Sequence, residues 1–202
     1  MQVYVRLYQT FSDMSSKRRD EIVAQSAQLF RTYGYNGASM RTVAEAVGIE
    51  AASLYNHIKS KSEILQEICF KVANKFLTHM DAVERSQKTT VEKLEDIIRI
   101  HIRMMLEEYE HVYVSDHEWK HLPEPYLSNF LNQRRSYRRR LADLVQEGID
   151  RGEMKNIDPY VAVITFLSAI GGIEYWHRSR KAINEQEVED NMVAYLVGGL
   201  RK

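Results

Sequence analysis

The chain has 202 residues, 28 Lys and Arg against 28 Asp and Glu, 44% hydrophobic residues and one cysteine. That balance excludes a polycationic tail, a strongly acidic chain and global disorder, and the lone Cys69 excludes an intrachain disulfide, so a reducing cytoplasm is the expected setting. No apolar run approaches the ~18 residues of a membrane span, and Gln2, Arg6 and Gln9 break the opening stretch where a signal peptide needs continuity, so a soluble chain with no membrane partner is expected.

Nine glycines and three prolines are few for a protein of many turns, and helices with short connections fit better than a sandwich or barrel. The expected fold is all-α, about nine helices, with a three-helix helix-turn-helix head and a larger helical domain after it. Residues 1–14 read as an N-terminal extension: Val3, Val5 and Leu7 alternate like a strand without a partner, and Met14 stands just before the first helix signal. From Ser15 or Ser16, with Asp20 and Glu21 in the first turn, apolar positions Ile22, Ala27, Leu29 and Phe30 recur at helical spacing until Gly34. Ser39 caps a short helix to about Val47, Gly48 turns the chain, and a second short helix with Leu54 and Ile58 buried follows. Two short helices joined by a glycine turn make a helix-turn-helix, assigned to residues 15–61. Ser60 with Glu63 starts a longer helix to about Met80. Further helices are expected over 91–108, 126–151, 159–178 and from Asn184 or Glu185 to the end, with a short connecting helix near 117–121 before Pro123 and Pro125; residues 62–202 form the second domain.

Charge is divided unevenly. Residues 1–61 hold eight basic and five acidic side chains, net +3, and the remainder is −3. A basic first third suits a polyanionic partner. The outward residues of the second short helix are Glu50, Ala51, Ala52, Ser53, Asn56 and His57, without an Arg or Lys to read guanine. Ala51 or Ala52 can meet a thymine methyl, Ser53 a base or phosphate, and Asn56 an adenine.

Residues 17–65 resemble the TetR family of bacterial repressors through Ala27–Gln28–Leu29–Phe30, Gly34–Tyr35, Ser39–Met40–Arg41–Thr42–Val43–Ala44, Ala46–Val47–Gly48–Ile49, Leu54–Tyr55–Asn56–His57–Ile58, Ser60–Lys61 and Ile64–Leu65. The resemblance implies a homodimer on operator DNA and a C-terminal ligand domain. It also implies phosphate contacts from Tyr55, His57 and Lys61 and from Ser39, Arg41 and Thr42. Glu50 departs from the small capping residue usual there, and Ala51 from a common Lys. Residues 126–176 are similar to the family subset that senses acyl-CoA esters, through the Arg-rich helix, Glu147–Gly148–Ile149, Gly152–Glu153 and Tyr175–Trp176.

An inducer pocket is expected among His101, Met104, Met105, Tyr109, Tyr113, Trp119, Tyr126, Phe130, Tyr137, Phe166, Ile170 and Trp176. Arg134, Arg135, Arg138, Arg139 and Arg140 form a stripe on one wall helix, and Arg134, Arg135 or Arg138 are the candidates for an anionic CoA subsite. The last two helices are expected to form the dimer through Val161, Ile164, Leu167, Leu196, Val197 and Leu200, with Gly171, Gly172, Gly198 and Gly199 allowing close approach. His117–Glu118–Trp119–Lys120–His121 matches the H-E-x-x-H pattern of zinc peptidases, but Pro123 and Pro125 cut the ligand helix short and Lys120 adds an unhelpful charge. No enzyme activity, cofactor or metal site is expected, and the reading is a ligand-responsive repressor. A zinc hydrolase through His117, Glu118 and His121, and a ligand-free architectural DNA-binding protein, are the alternatives.

Overall fold

A computed structural model of the chain describes the backbone of residues 2–178 and 184–202, and the side chains of residues 16–177 and 184–202. In order the helices are α1 (Gln2–Gly37), α2 (Met40–Ala46), α3 (Ala51–Leu54), α4 (Lys61–Arg85), α5 (Thr90–Glu107) and α6 (Tyr109–His117). A 3₁₀ turn at Trp119–His121 follows, then α7 (Tyr126–Asp150), α8 (Pro159–Gly171), α9 (Ile173–Arg178) and α10 (Glu185–Leu200). The all-helical expectation is met: among the described residues there is no strand, only an isolated bridge between Met154 and Arg201. None of these helices is long and apolar enough to cross a membrane.

Three differences from the sequence reading have local causes. The backbone at Val3, Val5 and Leu7 belongs to α1 rather than to a strand, and their side chains lie outside the described residues. α3 is only four residues long and passes into a turn at Tyr55–His57, where a helix to Ile58 was expected. The helix expected over 159–178 is two, because the chain turns at Gly172 between α8 and α9.

The chain divides into two compact units, and the division falls within α4 and α7. The first comprises residues 1–72 and Glu110–Ser128, so α6 and the 3₁₀ turn join the head although they follow it by some forty residues in sequence. The head's core is Ile22, Val23, Phe30, Val43, Leu54, Ile58, Ile64 and Ile68, each without exposed surface.

The second unit comprises Ala73–Tyr109 and Asn129–Lys202. α5 packs there against α8, α9 and α10, burying Leu94, Ile97, Ile98 and Ile102. The Thr89 hydroxyl caps α5 reciprocally with Glu92. The Glu153 carboxylate accepts from the Thr90 N–H at 2.9 Å and hydroxyl at 2.5 Å. Gly148 makes that approach feasible: a Cβ there would stand 2.7 Å from Met154 Sδ and 2.8 Å from Thr90 Oγ1. The buried Glu189 carboxylate of α10 takes Arg103 at 2.7 Å and Arg99 at 2.8 Å, pinning α10 to α5.

Candidate nucleic-acid interface and helical interior

The head presents its short third helix outward. Ser39 caps α2, its hydroxyl accepting from the Thr42 N–H at 3.1 Å while Thr42 Oγ1 accepts from the Ser39 N–H at 2.8 Å. Val43 and Ala44 face the core, which leaves Arg41 and Thr42 on the exposed side; Arg41 meets only its neighbour Glu45, at 3.0 Å, and its side chain is 85% exposed. On α3, Leu54 is buried and Ala51, Ala52 and Ser53 are exposed. Tyr55 is 53% exposed, Asn56 is exposed and His57 is half-buried. Glu50 occupies the α3 N-cap without a side-chain cap bond. Eight of the ten expected DNA-reading residues are exposed on one head, and His57 and Lys61 are half-buried there.

Lys61, the tenth, is half-buried and has partners within the head. Its ammonium donates to the carbonyls of Tyr35 at 2.7 Å and Ala38 at 2.8 Å, and stands 4.3 Å from the Tyr35 ring centroid. It ties the last turn of α1 to the residue that follows it. Lys17 and Lys59 are exposed cations of the same head. Arg18 and Arg19 were missed. Arg18 donates to the Val47 carbonyl at 3.2 Å, at the end of α2, and Arg19 to the His57 carbonyl at 2.6 Å, just after α3. Two adjacent arginines of α1 thus hold the ends of both short helices. No periodicity signals this, because their partners are backbone carbonyls distant in sequence.

The H-E-x-x-H stretch does not converge. His117 ends α6, its Nδ1 2.9 Å from the Tyr113 carbonyl and its ring stacked on Tyr113. His121 lies in the 3₁₀ turn and stacks on Tyr35 at 5.0 Å. Among the described residues no group of three or more His, Cys, Asp and Glu is arranged to hold a metal.

In the second unit, Met104, Met105, Tyr109, Phe130, Tyr137, Phe166 and Ile170 are all buried. His101 on α5 shares a 2.8 Å hydrogen bond with the Tyr137 hydroxyl on α7 and stacks on Phe76 at 4.1 Å. Burial, with a smaller contribution from His79, pushes the His101 imidazole down to about 3, so it is neutral, and burial likewise raises the Tyr137 phenol. His101 nevertheless keeps part of its surface accessible. Trp176 is 38% exposed. Trp119 and Tyr126, expected in the same pocket, belong instead to the first unit, where Tyr126 meets Phe70 edge-on at 6.3 Å; Tyr113 is there too.

The arginine stripe also separates. Arg140 is engaged by Asp81 and Glu84 at 2.5 and 2.6 Å. Arg135, Arg138 and Arg139 are exposed, and Arg134 packs half-buried over the Phe130 ring at 5.6 Å. Spacing places Arg134 on the stripe of Phe130, Tyr137 and Leu141, whereas Arg138 lies off it.

The expected dimer residues divide. Val161 and Ile164 are 60% and 62% exposed, Gly171 is exposed, and Leu167, Gly172 and Leu200 are half-buried. Leu196 and Val197 are each only 8% exposed, so they belong to the chain's own core. Tyr195, at 82%, takes the outward place on α10, and Tyr160 and Tyr175 extend the aromatic surface at 59% and 72%.

Comparison with known proteins agrees with this architecture. Residues 22–68 match the model for bacterial regulatory proteins of the tetR family, and residues 87–200 that for the tetracyclin repressor-like C-terminal domain. The HTH-type transcriptional repressor KstR2 of Mycolicibacterium smegmatis is 22% identical over 187 residues, spanning 92% of this chain and 91% of the repressor. The solved ketosteroid transcriptional regulator KstR2 of Mycobacterium tuberculosis superposes with a TM-score of 0.84 at 21% identity, covering 92% of this chain and 95% of its own. AibR, solved in complex with isovaleryl coenzyme A and operator DNA, gives 0.77 at 24% identity, covering 89% and 98%.

Proposed function

Because this chain belongs to the TetR family of bacterial transcriptional regulators, we propose that it is a homodimeric repressor that binds a palindromic operator and is released by a small hydrophobic ligand of the acyl-CoA kind. The observation that carries the DNA half is the exposed surface of α2 and α3: Ser39, Arg41 and Thr42 beside Ala51, Ala52, Ser53, Tyr55 and Asn56. Phosphate contacts give the affinity, and Ala51, Ala52 and Asn56 give the base preference. A dimer places two such heads on half-sites about one helical turn, ~34 Å, apart. What supports the dimer is the exposure of the large side chains Val161, Ile164 and Tyr195 on α8 and α10.

The ligand half rests on the second unit. Met104, Met105, Phe130 and Phe166 offer an adaptable apolar wall, and His101 with Tyr137 offers one uncharged polar pair within it. A neutral imidazole gives a free carboxylate no counter-charge, which favours a carbonyl group such as a thioester. Of the stripe, Arg134 alone retains the phosphate role. AibR, by its solved complex, takes an acyl-CoA and operator DNA, which supports the same reading here.

Selection of duplexes from a random pool by the purified protein tests the DNA half, with a palindrome expected. Titration of that complex with octanoyl-CoA and with octanoate tests the ligand half: release by the ester and not by the acid is expected. Equal release by both removes the thioester assignment.

A further inference from the structure

The His117–His121 stretch places two of its side chains, Glu118 and His121, on the corner that leads into α2 and α3. At Gly34 the backbone leaves helical geometry, with φ 74° and ψ 161°. Glycine tolerates that positive φ. The break leaves the Tyr35 N–H in need of an acceptor, and Glu118 Oε2 supplies it at 3.2 Å. His121 Nε2 lies 3.4 Å from the same carboxylate oxygen, and its ring stacks on the Tyr35 ring with planes 17° apart. Lys61 holds the Tyr35 carbonyl, and Phe30 meets the ring edge-on at 5.3 Å. The corner's N–H, carbonyl and ring are therefore each held by a different residue. Glu118 and His121 are mostly buried, with side chains 16% and 26% exposed. Four residues after Tyr35 comes Ser39, the cap of α2.

We infer that Glu118 and His121 are positioning residues for operator recognition: they fix the Tyr35 corner from which α2 and α3 are hung. The inference rests on the DNA-binding reading above. Hydrogen bonds to base edges tolerate little displacement, whereas attraction to phosphates is forgiving of it. Loosening the corner therefore lowers discrimination between operator and other DNA before it lowers affinity for DNA in general.

The test uses the full-length protein, a labelled duplex that it selected from the random pool, and a shuffled duplex of the same composition. Glu118→Ala and His121→Ala are each expected to weaken binding to the selected duplex by about tenfold, with shuffled-duplex binding and helical content unchanged. Glu118→Gln, whose amide oxygen still accepts the Tyr35 N–H, is expected to stay within about threefold of wild type. If the alanine variants fail to fold, Glu118→Asp, which withdraws the carboxylate and keeps its charge, is read in their place by the same comparison. Wild-type discrimination in these variants overturns the inference, as does a parallel loss on both duplexes, which marks general damage. A wild-type protein that selects no duplex removes the DNA-binding reading and this inference with it.

Discussion

Arg19 Nη1 donates to the backbone carbonyl of His57 at 2.6 Å, while the same guanidinium meets Glu63 and Glu67 at 2.8 Å each. His57 is the last residue of the turn after α3, so one side chain of α1 ties the end of that turn to the start of α4. Arg19→Met is expected to lower the stability of the head by about 1–2 kcal/mol, since a charged donor to a part-buried carbonyl is lost. Urea unfolding followed by circular dichroism measures this, and binding to the selected duplex is expected to weaken in parallel.

Phosphate contacts are expected from exposed cations only. Arg41→Ala and Lys59→Ala should each reduce the salt slope of DNA binding by about one unit and weaken all sequences alike. Lys61→Ala should leave the slope alone and lower the melting temperature, because its ammonium serves the Tyr35 and Ala38 carbonyls. A slope change for Lys61→Ala in an unaltered fold returns it to the phosphate set.

Asn56 stands exposed just after α3. Asn56→Ala is expected to relax preference at one A·T position of each half-site by about 1–3 kcal/mol, with other positions unaffected. Binding to single-base variants of the selected duplex reads this directly.

The outward and inward residues of the last helices should behave oppositely. Ile164→Glu is expected to give a folded monomer in sedimentation velocity, because the side chain is 62% exposed and a charge there harms only an interface. Leu196→Ala is expected to cost about 2–4 kcal/mol of stability through the cavity it leaves, with the dimer retained wherever the protein is folded. A monomeric Leu196→Ala that keeps wild-type stability would move the interface to the opposite face of α10.

Acidification probes His101. Its folded value of about 3 lies below the ordinary 6.5. Above pH 6.5 the ring is neutral whether the chain is folded or not, and its contribution is complete. As pH falls from 6.5 toward 3, the unfolded chain takes up a proton that the folded chain refuses, and stability drops by at most about 1.4 kcal/mol per pH unit. Urea midpoints at pH 7.5 and 5.0 should therefore differ more for the wild type than for His101→Gln.

What the sequence by itself determined is whatever acts within about one helical turn. Ser39, Asp158 and Asn184 cap α2, α8 and α10 through bonds to backbone N–H groups two or three residues on, and Gly34 and Gly48 take the positive φ that ends a helix. These signals, with the apolar spacing of Leu94, Ile97, Ile98 and Ile102, made the helical fold and the reading head legible. Only the tertiary structure decided which partner each long side chain found. Glu118 reaches Tyr35 across 83 residues and Arg99 reaches Glu189 across 90, and these are distances at which neither spacing nor composition holds information. It also decided which side of α10 faces inward. Tyr195 and Leu196 are adjacent and both apolar, and the packing of α10 against α5 and α8 makes Leu196 core and Tyr195 surface. Lys61 shows the same limit: its charge is plain in the sequence, but its contacts with the Tyr35 and Ala38 carbonyls, 26 and 23 residues away, exist only in the fold.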